Sequence, residues 1–160
     1  MPAESPAARL TIFGGIDGLT MFLGLVAGVI ISRQSNDAIW HAALGGAMGE
    51  LVGMTSGQWL SDKDSGFLVA LVCGTAGAVA CAAPAFPFIW LDRTAATICA
   101  LAIAVAIGAA VSWLRPEKGW QAIAQTYGVL IAAGVLSGLT GLILCISTLT
   151  GCTCWRSPGR

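Results

Sequence analysis

Gly14-Gly15-Ile16-Asp17-Gly18-Leu19-Thr20-Met21-Phe22-Leu23 opens an apolar run of about 20 residues and carries a carboxylate inside it. A charged side chain at the centre of a membrane helix costs about 3 kcal/mol on insertion scales, so an acid kept there marks a functional position. Only one other acid, Glu50, lies within an apolar run. The stretch decides the fold because its length and composition suit lipid, and the rest of the chain repeats the pattern.

Of the 160 residues, 56% are hydrophobic and only 10% charged, against about 25% charged in soluble domains. The mean hydropathy of +0.81 points the same way. Five apolar runs are each long enough for a membrane-spanning helix, which needs about 20 residues. They extend from Thr11 to Ile31, Ala38 to Leu60, Phe67 to Leu91, Thr94 to Leu114 and Trp120 to Leu149. The expected fold is therefore an all-α membrane protein of five transmembrane helices. Short polar connections make neighbouring spans antiparallel. Residues 11–150 form the transmembrane domain, 1–10 a disordered lead and 151–160 a short polar tail. The first run is too long, and too interrupted by Asp17, for a cleaved signal peptide. Net charge is zero, which suggests neither nucleic acid nor a polybasic lipid-binding surface.

The tryptophans support these boundaries. Trp40, Trp59, Trp90, Trp113, Trp120 and Trp155 all fall near a span end, where an indole finds both apolar and polar surroundings. Orientation is not decided by charge. Arg9, Lys63, Arg115 and Lys118 fall on one side, and Arg33, Arg93, Arg156 and Arg160 on the other, so the positive-inside comparison ties. Cys73, Cys81, Cys99 and Cys145 lie inside apolar runs and read as small buried hydrophobes. Cys152 and Cys154, just past the last run, are a weaker candidate for a thiol pair or a soft-metal site.

Gly45, Gly49, Gly53 and Gly57 recur every four residues along the second span, and Gly14/Gly18 and Gly24/Gly28 do so in the first. Small residues at this spacing let helix backbones approach closely. On the second span Glu50, Met54 and Gln58 share a stripe, as Asp17 and Met21 do on the first. Counting inward from Thr11 and Leu60 at 1.5 Å per residue places Asp17 and Met54 level, at about 9 Å. Glu50 and Met21 then fall one turn deeper. Each tier offers one carboxylate and one thioether. Carboxylate oxygen accepts any divalent cation, whereas thioether sulfur favours transition metals, so Fe²⁺ or a neighbour such as Mn²⁺, Co²⁺ or Zn²⁺ suits the mixture. Asp17, Met54, Glu50 and Met21 are the candidate metal ligands. Met is otherwise ordinary gap-filler, and His41 beside Trp40 reads as an interfacial residue.

Gly15-Ile16-Asp17-Gly18-Leu19-Thr20, followed by Val26-Ala27-Gly28, resembles the first-span signature of the vacuolar iron transporter family. Gly53-Met54-Thr55-Ser56-Gly57-Gln58-Trp59-Leu60-Ser61 resembles the end of that family's second span, and Pro84-Ala85-Phe86-Pro87-Phe88 its Pro-x-x-Pro-aromatic motif. Val129–Gly141 is similar to the last span only loosely. The resemblance implies a five-span homodimer with a metal path between subunits, moving Fe²⁺ or Mn²⁺ out of the cytosol in exchange for protons. It implies the path aspartate at Asp17 and the second-span methionine at Met54. Three departures stand out. Gly46 occupies the place of the family's second-span glutamate, with Glu50 one turn later. Phe22 stands where a proline is frequent. Only Ser61-Asp62-Lys63-Asp64-Ser65 replaces the long Glu-rich cytosolic metal-binding domain of characterised eukaryotic members.

The expected function is divalent metal export, proton-coupled, by a homodimer with no permanently bound cofactor. Fe²⁺ or Mn²⁺ is the transported ion, and lipid and protons are the other partners. No motif supports an enzyme. The alternatives are a non-transporting scaffold assembled through Gly-rich faces and a metal-handling protein using Cys152 and Cys154. Minimal loops and Ala/Gly-rich composition favour a bacterial plasma membrane over a vacuolar one.

Overall fold

A computed structural model describes residues 6–31, 34–62, 66–115 and 120–151, and among these every regular element is helical. The order is α1 (Pro6–Ile31), α2 (Asn36–Ser61), α3 (Phe67–Ala82), a 3₁₀ segment η1 (Ala83–Ile89), α4 (Arg93–Leu114) and α5 (Trp120–Gly151). Among the described residues four helical stretches are long and apolar enough to cross a membrane: Ala7–Val29, Phe67–Ile89, Arg93–Leu114 and Ile123–Thr140. The protein is thus a multi-pass membrane protein. At 26 residues α2 has the length to cross, but its glycines, hydroxyls, Glu50 and Gln58 make it less apolar than the other four.

Local chemistry explains the ends. Ser35 caps α2 by accepting from the Ala38 amide at 3.2 Å, and Asp92 caps α4 by accepting from Ala95 at 3.3 Å. Each satisfies a donor that the first helical turn leaves free. Gly66, at the start of α3, has φ +75°, a left-handed conformation open to glycine at little cost. Pro84 and Pro87 lie within η1, where missing amides and fixed ring torsions stop α-helical hydrogen bonding. The side chain of Asn36 donates to the Leu91 carbonyl at 3.1 Å, tying the start of α2 to the end of the third crossing. Trp59, Trp90, Trp113 and Trp120 stand exposed close to helix ends, while Trp155 lies outside the described residues.

The third crossing is the centre of the molecule. It packs against both α1 and α2 far more extensively than these two pack against each other. Glycine permits this. A methyl group at Gly14 would collide with the Cys73 carbonyl, one at Gly18 with the Gly77 carbonyl, and one at Gly74 with Thr55 and Leu51. Backbone therefore lies directly on backbone at α1/α3 and α2/α3. Beyond them, Phe22, Ile39, Ala43, Cys81, Ala85, Phe88, Ala96 and Ala100 form a dry core that joins α1, α2, the third crossing and α4. The outer helix α5 is held by Leu130 against Leu19 and Ala104, and by Tyr127, which donates to the Val105 carbonyl at 2.9 Å.

The glycine expectation divides in two. Gly14 and Gly18 are packing glycines within the chain. Gly45, Gly49, Gly53 and Gly57 have nothing within 4 Å of the place a methyl would occupy, and all four lie on an exposed face.

Candidate functional site

The two intramembrane acids lie at one level, where α1 and α2 both pack on α3. Asp17 lies eleven residues inside α1 from Pro6, and Glu50 lies eleven residues back from Ser61 in the antiparallel α2. Both are therefore about 16 Å in from the same side. The register expected from sequence alone, Asp17 with Met54 and Glu50 with Met21, is corrected by one turn. The reason is at the helix start: α1 begins at Pro6, where a ring without an amide is welcome at the first helical position, and not at Thr11. The contact of Met21 with Gly46, each fifteen residues in, confirms the new register.

Glu50 is 9% exposed, and among the described residues its Oε2 has no hydrogen-bond partner. That oxygen lies over Gly77. A methyl there would stand 3.0 Å from Glu50 Oε2 and 3.2 Å from the Gly14 carbonyl oxygen. The missing side chain of Gly77 makes the room in which the carboxylate sits. Asp17 is half-buried. No Lys or Arg occurs between residues 10 and 32, 34 and 62 or 64 and 92, so no basic side chain within these crossings can offset the two acids. A buried acid without a partner is costly, and two at one depth repel each other. A divalent cation would meet both.

The remaining donors are arranged above and below. Met54, half-buried, lies one turn nearer the Ser61 end. Met21 lies one turn deeper, where a methyl on Gly46 would stand 3.0 Å from its Cε and 3.7 Å from its Sδ. This is the position at which the family resemblance leads one to expect a glutamate, and here the thioether covers it. Cys73, Gly77 and Cys81 follow at four-residue spacing on one face of α3, placing a buried thiol one turn to either side of the Glu50 oxygen.

Cys73 and Cys81 are buried, at 1% and 0% exposed, as small hydrophobes would be, and each lies one turn from Gly77, over which the Glu50 oxygen sits. The period 73–77–81 around a glycine was the available signal. His41 is exposed, with Nδ1 at 2.7 Å from the Asp37 carbonyl, away from this junction. Cys152 and Cys154 lie outside the described residues.

Among the described residues no three His, Cys, Asp or Glu converge closely enough to hold a metal ion. A coordination shell here would combine the two carboxylates with thioether or backbone oxygen, or draw ligands from a second copy. Comparison of the chain with protein-family models, with curated proteins and with solved structures yields no match.

Proposed function

We propose that the chain is a five-span, homodimeric membrane transporter that exports a divalent transition metal ion, Fe²⁺ or Mn²⁺, from the cytosol in exchange for protons. One observation carries the reading: the buried Glu50 carboxylate, without a partner, level with Asp17 in a glycine-lined junction. A protein that needed only a packed helix bundle would gain stability by losing that charge. Keeping it suits a group that alternates between a cation and a proton.

The less apolar α2 supports the same reading, since a helix lining a polar path cannot be apolar all round. Its exposed Gly45–Gly49–Gly53–Gly57 stripe is the surface on which a second copy would sit, by close approach of small residues. Met54, then Asp17 with Glu50, then Met21 would offer ligands at successive depths. Oxygen and thioether together accept Fe²⁺ and Mn²⁺. The short loops between spans and the Ala/Gly-rich composition favour a bacterial plasma membrane over a vacuolar one.

Proteoliposomes loaded with a pH indicator test the proposal. Added Fe²⁺ or Mn²⁺ should enter with opposite proton movement, and Asp17→Asn should reduce uptake to the protein-free rate. Absence of uptake by the unaltered protein would favour the scaffold alternative, in which the glycine faces serve assembly alone.

A further inference from the structure

Among the described residues of α1 only Arg9, Phe13 and Met21 are exposed. With the half-buried Asp17 they recur at four-residue spacing, so all four lie along one stripe of the helix. The other faces of α1 are covered by its own chain. Gly14 and Gly18 lie on the α3 backbone, and a methyl at Gly15 would stand 3.1 Å from Val111 of α4. Leu19 packs with Leu130 of α5. The one uncovered stripe therefore carries the carboxylate, with a phenyl ring one turn nearer the membrane surface.

Phe13 is 58% exposed. It lies seven residues inside α1 from Pro6, and Met54 lies seven residues back from Ser61 in α2. Both are thus about 10 Å in from the same side. Beside Met54, a methyl at Gly53 or Gly57 would have nothing within 4 Å, which leaves open space on α2 at the level of the ring. A phenyl ring offers no lone pair to a metal ion and accepts little from the water around it. A narrow passage lined by such a group loses its water, and a hydrated ion meets a barrier there until the group moves aside.

We propose that Phe13 gates the approach of a cation to Asp17 from the Arg9 side of the membrane. The ring lying along the stripe closes the approach, and its rotation about χ1 to another staggered position opens it. This gate rests on the transport reading of the two acids and adds to it the side chain that controls access to them.

The test reads access directly, without transport. Asp17→Cys serves as reporter in the full-length chain, with Cys99, Cys145, Cys152 and Cys154 replaced by Ser. The same background without the reporter measures any labelling of the buried Cys73 and Cys81. In proteoliposomes, a membrane-impermeant, positively charged methanethiosulfonate is added outside. Phe13→Ala should speed labelling of position 17 by about tenfold or more in molecules whose Arg9 end faces outward. Phe13→Trp, apolar and bulky, should keep labelling slow. Leu136→Ala truncates an equally exposed apolar side chain on α5, 64% exposed, and should leave the rate unchanged. An unchanged rate in Phe13→Ala overturns the proposal, as does equal acceleration by Phe13→Trp or Leu136→Ala. Because Phe13 is exposed, its truncation opens no cavity within the chain, and thermal unfolding should be unaltered. The transport reading fails separately, through absence of metal uptake by the unaltered protein.

Discussion

Glu50 and Thr55 face α3 from the same helix, and among the described residues neither Glu50 Oε2 nor Thr55 Oγ1 has a hydrogen-bond partner. Their consequences should differ. Replacing Thr55 by Val removes a buried hydroxyl without a partner, and thermal unfolding in micelles should show a gain of about 1 kcal/mol, with uptake unaltered. Glu50→Gln should also raise stability, by about 1 kcal/mol or more, yet metal uptake should fall to the protein-free rate. A variant more stable and inactive marks a group kept for work and not for folding. Glu50→Gln with full uptake would remove the carboxylate from the proposed path. The place of Asp17 and Glu50 within apolar helices was legible in the sequence, because each is a lone charge in an apolar run. Their being level was not. It depended on where α1 starts, and the residues before Thr11, including Ala7 and Ala8, continue a helix as readily as they end one.

At the scale of elements, the helix ends were readable from tryptophans and polar turns, and α2 and α4 begin within two residues of expectation. What could not be read was which helices touch. Adjacent antiparallel spans suggested α1 against α2, whereas α3 lies against both. The decisive feature is the meeting of Gly14 and Gly18 with Cys73 and Gly77, more than fifty residues apart in sequence. Spacing shows that a helix has a narrow face but does not name the partner. Gly18→Ala should therefore force α1 off α3. A loss of about 1–3 kcal/mol is expected from overpacking, visible as lower thermal stability in micelles. Gly77→Ala should do the same and also displace Glu50, so its uptake should fall even in the fraction that remains folded.

For the molecule as a whole, the exposed glycine stripe of α2 separates the fold of one chain from its assembly. A Cβ at Gly49 meets nothing within 4 Å among the described residues, so Gly49→Leu should not destabilise the single chain, and its higher helix propensity should add about 0.5–1 kcal/mol. If a second copy packs there, the same change should convert dimers to monomers, as read by light scattering in detergent. A dimer that survives both Gly49→Leu and Gly53→Leu would place any interface elsewhere. The sequence disclosed this stripe by its four-residue repeat, but not that it would stay uncovered while Gly14 and Gly18 of α1 pack against the α3 backbone.

The 3₁₀ segment Ala83–Ile89 has a further consequence, in the matching of lengths. A 3₁₀ turn rises about 2.0 Å per residue and an α-turn about 1.5 Å. The 16 residues of α3 and seven of η1 therefore span about 38 Å, against about 39 Å for the 26 residues of α2. Tighter winding lets the shorter chain segment reach as far as the longer one. The two crossings then finish together, and Asn36 can donate to Leu91. With Pro84 and Pro87 both changed to Ala, an α-helical segment would fall short by about 3–4 Å. The prolines thus act as a ruler, setting where the third crossing surfaces relative to the second.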